Sequence, residues 1–306
     1  MRMKSATGPS GIRAGMLGDT QQRDYAEKLR LFNAFARSEL CEAIAALSLP
    51  ADSRVLDAGC GTGEAVAWLH ESMQGRAMVV GMDLATVHVR AARRTAPAGA
   101  PILQADMMRP PLADGSFDLV WSVNAIHHLR DPAAGVRVLS GLLRPGGRLV
   151  LGQSSLLPDM YFAWDARLER IVNEAVRQYY RERYGRNEQD LAAVRSLIGW
   201  LQAAELERVD VRTRMIERTH PLTDADKRYL LDVIFRGTWG ERLRPYLPRE
   251  DFEALMRLCD PDDACYALRR PDFHFLQSLT IAVATKQEAV PFVRHRSSRP
   301  VRARFP

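Results

Sequence analysis

The residues of this chain that could do chemistry begin with an acid followed by a glycine-rich turn. The run Arg54–Glu64 reads as a short apolar strand that ends near Asp57, with Gly59, Gly61 and Gly63 after it and a helix-forming segment next. A turn without Cβ atoms lets a ligand approach the backbone closely. The carboxylate of Asp57 would repel a diphosphate there and would favour a cationic ligand. The turn therefore predicts a site for a ligand that carries positive charge.

The spacing of the glycines separates this turn from the dinucleotide-binding fingerprint. The pattern here is G-x-G-x-G, whereas that fingerprint is G-x-G-x-x-G and would need a glycine where Glu64 stands. A glycine-rich turn on its own is also typical of a plain corner between strand and helix. Its function therefore depends on the motifs that come later in the chain.

Two more acids follow the next two predicted strands. Asp83 ends the apolar run 77–83, and Asp106 comes directly after the run 101–105. An acid at the end of the second strand is placed to accept hydrogen bonds from ribose hydroxyls. The alternative role of Asp83 is to cap the helix predicted over 86–96, and one residue can do both.

Two adjacent histidines, His127 and His128, follow the fourth predicted strand, which ends at Asn124. They fall at the carboxyl edge of the predicted sheet, where ligands bind in such folds. Histidine can accept a proton near neutral pH, so one of the two is a candidate general base. The alternative is that both only form hydrogen bonds within their loop.

These motifs, in this order over residues 50–155, resemble those of the class I S-adenosylmethionine-dependent methyltransferases. The similarity is greatest to small-molecule methyltransferases such as those of quinone biosynthesis, and it includes the Pro145-Gly146-Gly147 turn before strand five. The resemblance implies an α/β fold with a Rossmann-like seven-stranded sheet whose last strand is antiparallel. It also implies helices on both faces of the sheet, an N-terminal helical cover and a helical lid inserted after strand five.

The resemblance further implies that the cofactor is S-adenosylmethionine. In the family, an acid at the position of Asp106 accepts a hydrogen bond from the adenine amino group, and the backbone of the next residue meets the ring. The cofactor-binding residues that it implies are Asp57, Gly59, Cys60, Gly61, Gly63, Asp83, Leu84, Asp106, Met107 and Asn124.

Aromatic side chains mark the candidate acceptor site. The segment Met160–Tyr184 is predicted to be helical, and the segment after strand five commonly forms a lid over the substrate in the resembled family. Packing in the hydrophobic core is the plain alternative for these aromatics. The candidate substrate-binding residues are Tyr25 and Phe32 in the N-terminal helix and Tyr161, Trp164, Tyr179 and Tyr180 in the lid segment.

The type of acceptor is predicted from the tetrad after strand four. Enzymes that methylate adenine or glutamine nitrogens carry (N/D)-P-P-(Y/F) there, whereas this chain has Asn124-Ala125-Ile126-His127. The tetrad therefore favours methylation at carbon or oxygen over nitrogen, and the aromatic segment after strand five favours a small, partly apolar or aromatic acceptor, in specialised metabolism. The alternatives are a tRNA or protein methyltransferase, and a cofactor-binding protein of this fold that transfers no methyl group.

The net charge of +6 is concentrated near the ends of the chain, with six basic residues and one acid between Lys286 and Pro306. The body of the chain is close to neutral, which argues against a broad nucleic-acid-binding face. We therefore expect a small-molecule partner and no nucleic acid, while a homodimer is compatible with the sequence.

Length and composition bound the organisation of the chain. Its 306 residues, 46% of them hydrophobic, suffice for one large α/β domain. We expect a disordered tail over 1–19, a methyltransferase domain over 20–286 and a basic disordered tail over 287–306. Within that domain, 50–155 would bind the cofactor and 156–206 would form the lid.

Targeting signals and cysteines indicate the compartment. No apolar run approaches the roughly 20 residues that span a bilayer, and no signal-peptide core follows the first residues, so neither a membrane partner nor secretion is expected. The four cysteines form no C-x-x-C pair, which is typical of reduced thiols in a cytoplasmic protein without a metal site. A disulfide or metal site at Cys259 and Cys265 is the alternative.

Overall fold

The computed structural model of the protein describes residues 25–154, 159–160, 166–184 and 193–288. The predicted N-terminal tail, nearly all of the predicted C-terminal tail, and the candidate residues Tyr161 and Trp164 lie outside the described residues. All four cysteines fall within the described part, and none of them forms a disulfide.

One mixed β-sheet runs through the described residues. In chain order its strands are β1 (Arg54–Ala58), β2 (Met78–Asp83), β3 (Ile102–Gln104), β4 (Phe117–Val123), β5 (Leu143–Ser154), β6 (Asp159–Met160), β7 (Leu206–Thr219) and β8 (His274–Lys286). The spatial order is β3-β2-β1-β4-β5-β8, with β7 on the far side of β8. The first five strands are parallel to one another, and β8 is antiparallel to both β5 and β7. The predicted seven-stranded sheet with an antiparallel last strand is confirmed, and the two-residue β6 pairs with β8 beyond the end of β5.

The central strands are apolar on both faces because both faces are covered. Val55 of β1 and Trp121 of β4 belong to the core on one face, whereas Leu56 and Val120 belong to the core on the other. Successive residues of a strand point to opposite faces, so a strand buried on both sides has a continuous apolar run. All five parallel strands end at one edge, and this edge collects the strand-end acids.

The helices divide between the two faces of the sheet. In chain order they are α1 (Ala26–Phe35), α2 (Arg37–Ala45), α3 (Glu64–Ser72), α4 (Thr86–Thr95), α5 (Pro132–Leu142), α6 (Ala166–Tyr184), α7 (Leu197–Ala203), α8 (Asp224–Arg228) and α9 (Arg249–Cys259). The first four helices pack with Val55 and Trp121, and α5 and α7 pack with Leu56 and Val120. The prediction of helices on both faces is confirmed.

A second group of helices joins the core on the α1–α4 face. Helix α8 continues as a π-helix over Tyr229–Thr238, and a 3-10 helix covers Glu241–Tyr246. Helix α6 packs against this group through Leu168, Val172 and Val176, and Arg167 forms two hydrogen bonds with Asp251 of α9.

Arg218 of β7 connects this helical group to the N-terminal helices. Its side chain is 16% exposed, and it donates hydrogen bonds to Glu39 of α2, Asp226 of α8 and the carbonyl of Phe35. The guanidinium also lies over the ring of Phe35, 4.7 Å from its centroid. Because a planar guanidinium can satisfy several acceptors at once, one side chain fixes three elements relative to one another.

Two element boundaries differ from the sequence predictions. Met160 lies in β6 rather than in the predicted helix, because it pairs with Phe275 of β8. The predicted turn at Pro145-Gly146-Gly147 lies inside β5 as an irregularity, where Gly146 has φ +76° and the register with β4 shifts.

Within the part of the chain that the structure describes, no helix has the length and apolar character needed to cross a membrane.

Candidate functional site

The glycine turn after β1 has a left-handed backbone that favours glycine. Gly59, Gly61 and Gly63 have φ of +82°, +52° and +90°. A Cβ at Gly63 would lie 2.8 Å from Cα of Ala92 in α4, and a Cβ at Gly61 would lie 2.9 Å from Cδ1 of Leu29 in α1. Because Gly63 and Gly61 have no side chains, α4 can pack against the turn at Gly63, and α1 can pack against it at Gly61.

The amides of the turn are already hydrogen bonded within the protein. The amides of Gly59 and Cys60 donate to the carbonyl of Met82 at 2.8 and 2.9 Å, and the amide of Gly63 donates to the carbonyl of Cys60 at 2.9 Å. The amide of Gly61 donates to Oδ2 of Asp83 at 3.0 Å. Phosphate-binding loops hold their ligand with backbone amides that point at it. These four amides are therefore not free to hold a phosphate, and the neighbouring acids would repel one.

Asp57 is a buried carboxyl group beside the turn. It is 2% exposed, and its Oδ2 has no hydrogen-bond partner among the described residues. Burial, together with the neighbouring charges of Asp83 and Glu64, raises the pKa of Asp57 to about 8. A buried acid without a partner is stabilised by a proton or by a cationic ligand. The turn and its acids therefore fit a ligand with positive charge and hydroxyl groups.

Asp83 accepts a hydrogen bond at the start of α4 and remains compatible with ribose binding. Its side chain is 12% exposed. Oδ1 accepts hydrogen bonds from the amide of Ala85, directly before α4, and from Nδ1 of His88, while Oδ2 accepts from Gly61. A carboxylate offers about four acceptor positions, so roughly one, on Oδ2, is left for a ribose hydroxyl.

His88 contacts a predicted site residue, although the sequence patterns do not point to it. It lies on α4, is 6% exposed, and forms a 3.2 Å hydrogen bond from Nδ1 to Oδ1 of Asp83. Its Nε2 accepts a 3.1 Å hydrogen bond from the amide of Tyr25. The sequence offers one signal that could have identified His88: it is a histidine among residues of α4 that face the core, such as Val89 and Ala92.

The third strand brings the candidate adenine-binding residues to the same edge. Oδ1 of Asp106 accepts a hydrogen bond from the amide of Met108 at 2.8 Å, and its side chain remains 36% exposed. Met107 is buried, and its Cε lies 3.4 Å from where a Cβ of Gly59 would be. Leu84, half-buried, directly follows Asp83. The predicted adenine side thus borders the glycine turn.

The fourth strand places Asn124 and the two histidines next to the turn. Asn124 has φ +54°, and its Oδ1 accepts hydrogen bonds from the amide and the hydroxyl of Ser154, which ties the ends of β4 and β5 together. The rings of His127 and His128, in a 3-10 helix, have centroids 3.9 Å apart. The ring of Tyr25 lies nearly parallel to that of His128, with centroids 6.1 Å apart.

The other described candidates for acceptor binding lie in packed surroundings. Phe32 is buried and meets the ring of Tyr229 edge to face at 5.9 Å. The guanidinium of Arg242 lies over the rings of Tyr179 and Tyr180, at 4.7 and 5.3 Å from their centroids. Of the described candidates, Tyr25 lies beside His128, and the acceptor role of all four stays a prediction.

Comparisons with known proteins agree with this arrangement. A family model described as a methyltransferase domain matches residues 56–151, the segment that carries all the strand-end acids and both histidines. Ubiquinone biosynthesis O-methyltransferase of Xanthomonas axonopodis pv. citri (strain 306) is 31% identical over 187 residues, which cover 58% of this chain and 72% of that protein.

A second relative is similar over a shorter stretch. The 27-O-demethylrifamycin SV methyltransferase of Amycolatopsis mediterranei (strain S699) is 36% identical over 117 residues. The match covers 37% of this chain, and the chain spans 42% of the length of that relative. Among solved structures, the YcgJ protein of Bacillus subtilis superposes with a TM-score of 0.49 at 19% identity, covering 83% of this chain and 100% of that one.

The matched domain, the glycine turn with its acids and the long match to the ubiquinone relative lead to one assignment. The chain belongs to the class I methyltransferases, the family whose cofactor is S-adenosylmethionine.

Proposed function

We propose that the protein transfers a methyl group from S-adenosylmethionine to a small-molecule acceptor, at oxygen or carbon rather than nitrogen. The observation that carries this proposal is the buried carboxyl of Asp57, whose Oδ2 lacks a partner among the described residues, beside a turn whose amides are already bonded. Such a site favours a cationic ligand over a phosphorylated one.

Each part of the cofactor has a candidate partner at the carboxyl edge of the sheet. Asp57 would hold the cationic methionyl end, and Asp83 would accept a hydrogen bond from a ribose hydroxyl. Asp106 and Met107 would border the adenine, together with Leu84. The backbone at Gly59, Cys60, Gly61, Gly63 and Asn124 would shape the cleft between these side chains.

When bound, S-adenosylmethionine supplies a methyl group on a positive sulfonium whose leaving group is a neutral thioether. The leaving group therefore needs no acid, and the chain contributes mainly by orienting the acceptor. An acceptor hydroxyl must lose a proton, and His127 or His128 would take it.

Exclusion of water is the second contribution of the chain. Tyr25 lies beside His128, and Leu29 lies against Gly61, so the first turn of α1 covers the cleft from the N-terminal side. An apolar and aromatic cover lowers the local dielectric around the reacting groups and keeps water from competing with the acceptor.

The names of the relatives support a small molecule methylated at oxygen. One relative is named for ubiquinone biosynthesis and one for 27-O-demethylrifamycin, and both names refer to oxygen. The tetrad Asn124-Ala125-Ile126-His127 supports the same preference because it lacks the two prolines of the nitrogen-directed enzymes.

The test is transfer of an isotope-labelled methyl group from S-adenosylmethionine to a panel of phenols, hydroquinones and macrocyclic alcohols, followed by mass spectrometry. Parallel reactions contain total tRNA and a protein extract. We expect label on at least one small molecule, and loss of transfer in His127→Ala or His128→Ala without loss of cofactor binding. Label found only in tRNA or protein would overturn the proposal, and so would cofactor binding without transfer to any of these acceptors.

A further inference from the structure

Two hydrogen bonds of His88 connect the end of β2 with the residue that precedes α1. One ring nitrogen, Nδ1, lies 3.2 Å from Oδ1 of Asp83, and the other, Nε2, lies 3.1 Å from the amide nitrogen of Tyr25. The imidazole therefore bridges the acid at the end of β2 and the residue that precedes α1.

The backbone amide of Tyr25 determines the tautomer of this imidazole. An amide can only donate, so Nε2 must be the unprotonated acceptor. The proton of a neutral ring must then reside on Nδ1, where it can be donated to Asp83. The amide of Ala85 also donates to Oδ1 of Asp83, and the amide of Gly61 donates to Oδ2. Together with the hydrogen bond from His88, these bonds hold both carboxylate oxygens of Asp83 in place.

The residue on the other side of the bridge begins the helix that covers the cleft. Tyr25 precedes α1, has no side-chain cap of its own, and places its ring parallel to that of His128. One turn later, Leu29 contacts the position of Gly61. The start of α1 thus extends from the α4 side of the cleft to the histidines after β4.

A purely structural role would not require this residue type. The buried neighbours of His88 on α4 include Val89, Ala91 and Ala92, and an apolar side chain would fill such a position without the need for two polar partners. A buried imidazole costs free energy unless both nitrogens are satisfied, and here the two partners are a candidate ribose ligand and the N-terminal cover.

We infer that His88 is a positioning residue that orients the cofactor acid Asp83 through Nδ1 and holds the start of the N-terminal cover through Nε2. The bond from Tyr25 fixes the tautomer, and that tautomer presents the donor that orients Asp83. This inference rests on the proposed function, because it assigns Asp83 to the cofactor.

Two substitutions separate the two hydrogen bonds. In His88→Asn, the side-chain amide nitrogen can occupy the place of Nδ1, which keeps the donor to Asp83 and removes the acceptor for Tyr25. In His88→Gln, the side-chain oxygen can occupy the place of Nε2, which keeps the acceptor for Tyr25 and removes the donor to Asp83. His70→Asn, on α3, is the matched control for the loss of an imidazole.

The experiment measures three quantities in the full-length protein. Calorimetry gives the affinity for S-adenosylhomocysteine, hydrogen exchange gives the protection of the Tyr25 amide, and nitrogen NMR gives the tautomer of His88. We expect the Nδ1–H tautomer in the wild type. We expect His88→Gln to bind S-adenosylhomocysteine roughly tenfold more weakly with Tyr25 still protected, since one charge-assisted hydrogen bond is lost. We expect His88→Asn to keep most of its affinity while the Tyr25 amide exchanges on the order of tenfold faster.

The outcomes distinguish this inference from the proposed function. If the wild type does not bind S-adenosylhomocysteine, the proposed function fails, and the assignment of Asp83 to the cofactor fails with it. If the wild type binds but both variants bind as it does, His88 does not position Asp83. The inference would also be overturned if both variants lost the same affinity and showed the same exchange of the Tyr25 amide. An Nε2–H tautomer of His88 in the wild type would overturn it too.

Discussion

The amide of Gly61 donates a 3.0 Å hydrogen bond to Oδ2 of Asp83, which joins the turn after β1 to the carboxyl end of β2. The parallel register explains this contact, because Asp57 pairs with Gly81 and Ala58 pairs with Met82. Two motifs that lie more than twenty residues apart in the chain therefore form one side of the same cleft.

Replacement of Asp83 by alanine should weaken cofactor binding. The structure leaves about one acceptor position of Asp83 for a ligand, so we expect a loss on the order of 1.5–3 kcal/mol, or roughly 10- to 150-fold in affinity for S-adenosylhomocysteine. Calorimetry measures this loss. Asp52→Ala, an exposed acid just before β1, is the control and should bind like the wild type. Unchanged affinity in Asp83→Ala would restrict Asp83 to its hydrogen bonds with Gly61, Ala85 and His88.

Asp57 should make the free protein less stable as the pH rises. Its pKa is about 8 in the folded protein, against the ordinary value of 3.8 that applies to the unfolded chain. Between these values the folded protein binds more protons than the unfolded chain, so stability falls with rising pH from about 4 to about 8. We expect Asp57→Asn to flatten the profile and to raise the melting temperature above that of the wild type near pH 8. A steeper decline in the variant would contradict the assignment of this pKa.

Binding of a cation beside Asp57 should release a proton. A positive ligand stabilises the ionised carboxyl and lowers its pKa, so affinity for S-adenosylmethionine should rise with pH up to about pH 8 and then level off. Calorimetry in buffers of different ionisation enthalpy measures the released proton directly. In Asp57→Asn we expect weaker binding with little pH dependence. If this variant kept the full pH dependence, the proton would have to come from another group.

Gly63 should tolerate alanine less well than Gly99 does, although both have a left-handed backbone, with φ of +90° and +85°. A Cβ at Gly63 would lie 2.8 Å from the backbone of Ala92, whereas a Cβ at Gly99 meets nothing within 4 Å. We expect Gly99→Ala to cost about 1–2 kcal/mol from the backbone alone, and Gly63→Ala on the order of 2–5 kcal/mol because α4 must also shift. Denaturant unfolding measures both. Equal losses would mean that the turn and α4 can separate without cost.

The aromatic pair of α6 should support the packing of that helix. Tyr179→Ala with Tyr180→Ala removes both rings beneath Arg242 and the contact of Tyr179 with Tyr246, so we expect a loss on the order of 2–4 kcal/mol in unfolding free energy. The matched double substitution to Phe keeps the rings and should keep most of the stability. If the Phe variant kept its stability but lost acceptor binding, the two hydroxyls would be part of the acceptor site.

The sequence located those candidate site residues whose position depends on a strand end. Asp57, Asp83 and Asp106 follow apolar runs that end at one edge of a parallel sheet, so their proximity follows from the fold class alone. The last strand was also predictable, since the long apolar run 275–285 falls within β8, and its antiparallel direction is the one that the family resemblance implied.

The parts that sequence reasoning missed depend on contacts between distant segments. His88 bonds to Tyr25, 63 residues earlier in the chain, and no local pattern shows which side chain will reach an amide so far away. Arg242 lies 62 residues after Tyr180, so the surroundings of Tyr179 and Tyr180 could not be inferred from their spacing on α6. The irregularity inside β5 lies between the pairs Leu143–Phe117 and Arg148–Leu119, where β5 has more residues than β4, and no local pattern in the sequence shows it.

The most direct test of the central claim is calorimetric titration of the full-length protein with S-adenosylhomocysteine and, separately, with NAD. The acids beside the glycine turn and the internally bonded amides lead us to expect S-adenosylhomocysteine to bind with a dissociation constant on the order of micromolar, and NAD to bind far more weakly. Tighter binding of NAD, or no binding of S-adenosylhomocysteine, would contradict the account.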